Sequence, residues 1–394
     1  MNSTRIRDLG LTVGHLPTGP LNKITDVPGV RVGHCTIDTD RQKTGVTVIL
    51  PAEGNLYTAP LTAACHVING FGKSAGLMQV QELGTLETPI ALTGTLNVGR
   101  MCDALVSYTV DACTAEGRSC RSVNPVVGET NDGTLSCNHD RPAGRTHLDA
   151  AIAAACRDFA EGDVGAGKGT VCFGLKGGIG SASRVLEVGD RTCTLGVLVQ
   201  TNFGCVENLR MDGLPVGRAV VSYLEQERAT AEKAAEKSAA EGSAAEGAAA
   251  EGAAAEGTAI TGQDDIGSIM IIVGTDLPVS ELQLGRILRR ATVGLARTGS
   301  FVGHGSGDVV IGFTTANRRG GEEAIRTVEV MSDGRLETAF TAVAECVEEA
   351  IYNSMIAADT VTGFNGKETV TVRALNEFIR GALPRARAMA AGAI

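Results

Sequence analysis

Short runs of consecutive apolar residues punctuate this chain, and most of them are too short for helices. VTVIL (46–50), IALT (90–93), TVCF (170–173), CTLGVLVQT (193–201), IMIIV (269–273) and DVVIGFT (308–314) are β-branched and bounded by Gly or Pro. Such runs predict buried strands. Apolar spacing of three and four, with strong helix formers, predicts helices around 97–116, 147–160, 278–298, 338–358 and 370–382. LEVGDRTCTLGVL places a Gly-Asp turn between two apolar runs and predicts a β-hairpin. Strands and helices are mixed without strict alternation, so a layered α/β fold with some antiparallel sheet is expected.

One stretch breaks the pattern. Across 227–262 an Ala/Glu/Lys run gives way to Glu-Gly recurring every fifth residue, at 241–242, 246–247, 251–252 and 256–257. That period fits neither a helix nor a heptad, and almost no large apolar side chain is present to offset ordering entropy. It reads as a solvated tether inside one domain, because the strands on either side are too few to close separate cores.

Composition changes this picture little. Of 394 residues, 43% are hydrophobic, enough for a sizeable core, and 51 are Gly, which implies many tight turns or close backbone approaches. The net charge is −10. Residues 225–265 hold ten acidic and three basic side chains, so they carry −7 of it. No basic stripe with interleaved aromatics occurs, which argues against nucleic acid as a partner. Eleven Cys occur without a CxxC pair. Buried thiols in a reducing compartment are expected rather than zinc or disulfides. No run of about 18 apolar residues and no apolar N-terminal leader segment is present, so a cytoplasmic protein without a membrane partner is expected.

Two glycine-rich stretches imitate phosphate loops. GFGKSAG (70–76) lacks the required earlier Gly, that position being Val67, and GDVGAGKGT (162–170) reads Gly-Lys-Gly and follows a helix pattern. Close backbone packing is the simpler reading of both. His304, in FVGHGSGD, reads as structural rather than as a ligand or base.

The join at GQDDIGSIMIIVGTD is more informative. An apolar strand begins at Ser268 directly after the tether, with Gly267 before it. An N-terminal Ser can act as a nucleophile with its own α-amine as base, and that amine titrates at about 7.7–8.0. Such an amine exists only if the Gly267–Ser268 bond is cut. Gly267 suits the cut, since it tolerates a strained backbone and leaves the hydroxyl free to approach its carbonyl. Gly-Ser is also a common loop pair, so spacing alone leaves both readings open.

Beyond the join, TRIRDLGLTVGHLPTGPLNKITDVPGVRVGH, KTGVTVILP, NVGRMCDALV, PVVGETNDG, FGLKGGIGSASR, LVQTNFG and GSIMIIVGTD occur in order. Together they resemble the DmpA-like self-processing serine aminopeptidases, which include L-aminopeptidase/D-amidase-esterases and β-peptidyl aminopeptidases. The resemblance covers nearly the whole chain except the tether. It implies a four-layer αββα sandwich with mixed sheets, in one domain of residues 1–394. It also implies self-cleavage into chains 1–267 and 268–394, assembled as a tetramer of two-chain protomers, with no cofactor or metal. The substrate would be a small peptide or an aminoacyl amide or ester, whose N-terminal residue passes through an acyl-enzyme on Ser268.

By the same resemblance Ser306 and Asp308 match the second Ser and its acid, for which some relatives have Glu. Asn202 matches the oxyanion-binding Asn, and Glu129 the carboxylate that takes the substrate ammonium. Asn131 stands where some relatives have Tyr. Read without the family, Asn202 could cap a turn, Ser306 could lie in a Gly-rich bend, Asp308 could be solvated, and Glu129 could pair with Arg141 or Arg145. Ornithine acetyltransferase-like acyl transfer and amide-oligomer hydrolysis are alternatives on the same fold, although those proteins use Thr at the cut. A non-catalytic scaffold is the alternative of another class.

Overall fold

The apolar run at 269–273 forms the middle of a sheet that is buried on both faces. The computed structural model describes residues 4–222, 225, 229–230, 233, 267–320, 325–366 and 368–369. Most of the 227–262 tether and the helix expected at 370–382 lie outside the described residues.

The strands that matter here are β1 (Arg31–Asp38), β2 (Lys43–Leu50), β3 (Leu61–Gly70), β4 (Thr85–Leu86), β5 (Ile90–Gly94), β6 (Val126–Thr130), β7 (Val171–Cys172), β8 (Leu175–Lys176), β9 (Ile179–Val188), β10 (Arg191–Asn202), β11 (Ser268–Thr275) and β12 (Gly307–Arg318). The helices that matter here are α1 (Leu77–Leu83), α2 (Val98–Ala115), α3 (Arg145–Ala153), α4 (Glu281–Leu288), α5 (Ala291–Arg297) and α6 (Leu336–Ile356). The two larger sheets run β1-β2-β5-β6 and β4-β3-β12-β11-β10-β9. Both are mixed: β5 and β6 are parallel, as are β11 and β12, while the remaining neighbours are antiparallel.

Alternate residues of β11 serve different cores. Met270 and Ile272 pack between the sheets with Ile49, Ile90, Leu92 and Ile311. Ile269, Ile271 and Val273 face outward onto Leu284 and Ile287 of α4, Leu295 of α5 and Val343, Val347 and Ile351 of α6. On the far side, Val46, Val48, Ala91 and Val127 meet Met101 and Leu105 of α2 and Leu148 of α3. The layers are therefore helix, sheet, sheet, helix, and strands buried on both faces need the continuous apolar runs seen in the sequence.

Several elements differ from expectation. The helix expected at 147–160 stops at Ala153, because Cys156 exchanges backbone hydrogen bonds with Val32 at the edge of β1. The helix expected at 278–298 is two, broken at Arg289–Arg290, with the Arg286 and Arg290 guanidinium groups over the Phe340 ring. TVCF yields only the two residues of β7. The hairpin is present: Val188 pairs with Arg191 around Gly189, whose φ of +65° a side chain would resist. Five of the eleven cysteines are buried and Cys156 is exposed, so the expectation of buried thiols holds for only part of the set.

Arg184 ties the outer helix to the sheet and the N-terminal segment. It is fully buried and donates to Glu345 (2.8 Å), Glu349 (2.7 Å) and the Val13 carbonyl (2.7 Å). Arg7 adds a second guanidinium to Glu349 at 2.6 Å.

Candidate active site

Three segments far apart in sequence meet at one end of the central strands. β10 sets Asn202 opposite Ser268, and β12 sets Gly307 beside Ser268 and Asp308 beside Ile269. Register thus brings residues 202, 267–268 and 306–308 together, all buried except Gly267, which is half-buried. Gly267 is required for space. A Cβ there would collide with the Asn202 carbonyl and lie 2.7 Å from Phe203 Cα, whereas its φ is outside the left-handed region. Close approach therefore replaces the strained backbone expected from the sequence.

The Gly267 carbonyl oxygen accepts two hydrogen bonds, one from Ser268 Oγ at 2.7 Å and one from the Gly307 N–H at 2.9 Å. The nucleophile candidate thus touches the carbonyl it would attack, and a main-chain donor already polarises that carbonyl. Next along the chain, Ser306 Oγ donates to Asp308 Oδ1 at 2.6 Å, and the Ile269 N–H donates to the same oxygen at 3.2 Å. Asp308 is thus fixed by β11 itself rather than solvated.

Asn69 was not singled out in the sequence. It pairs with Asp308 across β3 and β12, beside a register irregularity. Its Nδ2 donates to the carbonyls of Gly303 (3.1 Å), His304 (3.2 Å) and Ser306, and so shapes the loop that carries Ser306. His304 itself is exposed, and its carbonyl serves this loop.

Asn202 Oδ1 accepts the Val171 N–H at 2.9 Å, which fixes the amide plane and leaves Nδ2 as its donor. Glu129 is the penultimate residue of β6, at 1% exposure. Its Oε1 accepts the Lys73 N–H at 2.7 Å and its Oε2 accepts the Thr95 hydroxyl. Neither Arg141 nor Arg145 pairs with it. Arg145 bonds Asp149 and Asp111, and Arg141 bonds the Leu96 carbonyl. A Cβ placed on Gly72 would touch both Glu129 Oε1 (3.4 Å) and Gly307 Cα (3.5 Å), so the carboxylate flanks the Ser268 neighbourhood. Asn131 is exposed, and its Oδ1 accepts locally from the Gly133 N–H (3.0 Å) and Asn138 Nδ2 (3.3 Å).

The phosphate-loop imitations acquire a different meaning. GFGKSAG supplies Gly72 against Gly307 and the Lys73 N–H to Glu129. In GDVGAGKGT, a Cβ on Gly167 would sit 2.6 Å from the Ile179 nitrogen, and one on Gly169 would collide with the Lys43 carbonyl. Lys168 is engaged by Asp38 and Asp163 at 2.8 and 2.9 Å. Close packing accounts for both stretches.

This constellation of a hydroxyl nucleophile at a strand start, a carboxylate-backed second hydroxyl, amide donors and a buried carboxylate suits acyl transfer from substrates with a free amine. Comparison with known proteins agrees. The model of peptidase family S58 matches residues 22–369. The chain belongs to that family, and it is a serine aminopeptidase of the N-terminal-nucleophile type. A β-peptidyl aminopeptidase, BapA, from Sphingosinicella microcystinivorans is 36% identical over 377 residues, covering 92% of this chain and 88% of the relative. Among solved structures, the PH0078 protein of Pyrococcus horikoshii OT3 superposes with a TM-score of 0.83 at 37% identity, covering 97% of this chain and 99% of that one. The L-aminopeptidase D-Ala-esterase/amidase of Ochrobactrum anthropi superposes with a TM-score of 0.79 at 33% identity, covering 95% and 99%, and is described as a variant of the N-terminal-nucleophile hydrolase fold. The αββα layering expected from the sequence stands.

Proposed function

We propose that the chain cuts its own Gly267–Ser268 bond and then uses Ser268 as an N-terminal nucleophile. One observation carries the reading: Ser268 Oγ and the Gly307 N–H converge on the Gly267 carbonyl oxygen. Ser268 Oγ adds to the Gly267 carbonyl carbon, and the Gly307 N–H holds the developing oxyanion. The C–N bond breaks, the Ser268 nitrogen takes the proton, and an ester joins Gly267 to Ser268 Oγ. Water hydrolyses that ester, leaving a Gly267 carboxylate and a Ser268 with free hydroxyl and free amine.

Departure of Gly267 opens a cavity with its donors still in place. A substrate carbonyl enters it, accepting from the Gly307 N–H and Asn202 Nδ2. Ser268 Oγ attacks, its own amine takes the proton, and the Ser306–Asp308 pair holds and relays that proton to the leaving amine. Glu129 holds the substrate ammonium by a charge-assisted bond, and Asn131 shapes the exposed loop beside it. Hydrolysis of the acyl-enzyme releases the N-terminal residue.

The substrates are short peptides and aminoacyl amides or esters. β-Amino acid and D-alanine substrates, named in its relatives, are the first to try. Eleven unbridged cysteines support a reducing compartment, taken to be the cytoplasm, and the family resemblance supports a homotetramer. Among the described residues no helix is long and apolar enough to cross a membrane. Ser268→Ala tests the reading: one uncut chain without aminoacyl-amide hydrolysis is expected, and normal turnover would refute the nucleophile.

A further inference from the structure

The segment FGLKGGIGSASR contains a fully buried ammonium that the chemistry above does not use. Lys176 Nζ donates to three main-chain carbonyls: Gly167 at 2.9 Å, Thr170 at 2.8 Å and Gly177 at 2.7 Å. An ammonium has three donors and no acceptor, so this set satisfies it completely. Burial draws its pKa from 10.5 down to about 7, while the charge of Asp163 works the other way. Such a group is costly to keep unless it holds something in place.

What it holds adjoins the oxyanion donor. The Thr170 carbonyl and the Val171 N–H belong to one peptide group. Lys176 grips the carbonyl end, and the N–H end donates to Asn202 Oδ1 at 2.9 Å. At the other end of the turn, Thr201 and Gly178 exchange hydrogen bonds, from the Thr201 N–H to the Gly178 carbonyl (3.0 Å) and from the Gly178 N–H to Thr201 Oγ1 (3.2 Å). A cation on a peptide carbonyl strengthens the N–H of the same group as a donor, and linked hydrogen bonds polarise one another. The path runs from the Lys176 charge through one peptide group to the Asn202 amide, whose Nδ2–H becomes the better donor.

We propose that Lys176 is a positioning residue for substrate turnover, fixing and polarising the Thr170–Val171 peptide group and, through it, the amide of Asn202. This rests on Asn202 being the oxyanion donor. Methionine has the length of Lys176 and no donor, and the planar fork of arginine does not match three converging carbonyls.

A double-mutant cycle tests it, with whichever of L-alanine or β-alanine p-nitroanilide the wild type hydrolyses faster. Turnover is referred to the cleaved chains quantified on denaturing gels. Asn202→Ala is expected to lower kcat about 10²–10³-fold, and Lys176→Met about tenfold or more with little change in KM. Added to Asn202→Ala, Lys176→Met should change kcat by less than about twofold, since both act through one amide. Wild-type kcat in Lys176→Met, or an equal loss in both backgrounds, overturns the proposal. Wild-type kcat in Asn202→Ala refutes the donor assignment instead, and the proposal falls with it by a different result. Should Lys176→Met fail to fold, Val171→Pro deletes only the linking N–H at a strand's first residue, where Pro is tolerated. The same background-dependent loss is then expected, and its absence is equally decisive.

Discussion

Glu129 places a carboxyl group at 1% exposure, and its hydrogen-bond partners, the Lys73 N–H and the Thr95 hydroxyl, are both neutral. Neutral donors do not cancel a buried charge, and a substrate ammonium does. Glu129→Gln keeps the shape and removes the charge. KM for a free-amine p-nitroanilide should rise about 10–100-fold with a smaller change in kcat, the range of a hydrogen bond to a charged group. An unchanged KM would remove Glu129 from substrate binding. At this scale the site was only partly legible. Ser268 announces itself because a strand begins at a hydroxyl after a tether, whereas Ser306 and Asp308 were reached through resemblance. Asn202 and Glu129 were reached only through resemblance, since nothing local marks an Asn ending a strand as a donor. The Gly307, Val171 and Lys73 N–H groups could not be read at all, because a main-chain donor leaves no signature in residue type.

At the scale of elements, the pairing of β10, β11 and β12 sets the chemistry, and the outer helix α6 is fastened to that sheet by charge. Burial alone would raise the pKa of Glu349, but Arg7 and Arg184 outweigh it and hold the carboxylate below its usual value of 4.5. A carboxylate with a depressed folded pKa contributes its full stability above the unfolded value, and that contribution is lost as pH falls through the folded one. Arg184→Ala should therefore cost about 3–5 kcal/mol at neutral pH, as removal of one partner from a buried ion network does. It should also raise the pH midpoint of acid unfolding. Thermal melts from pH 3 to 8 check both, and an unshifted acid limb would show that the network does not couple to stability. The runs at 46–50, 90–93, 269–273 and 308–314 were legible as strands because both faces of each are buried. β1 and β3 were not, because RVGHCTID and LTAACHVING mix polar residues into edge or half-covered positions.

For the whole molecule, one acidic stretch, residues 227–262, differs in composition from the rest of the chain. The core is complete on either side of residues 227–262: β10 and β11 pair through eight residues although the tether separates them in sequence. The tether is expected to be a spacer that lets the freed end of the first chain withdraw. Deleting 229–258 should leave self-cleavage and kcat within about twofold of wild type, since long surface connections cost little closure entropy. Loss of both activities would give the tether a structural or gating part.

The most direct measurement is N-terminal sequencing, with intact mass, of the purified active protein. Self-cleavage before Ser268 requires two chains, residues 1–267 and 268–394, the second beginning Ser-Ile-Met-Ile. An active protein that remains a single 394-residue chain, or whose second chain begins at any residue other than Ser268, would contradict it.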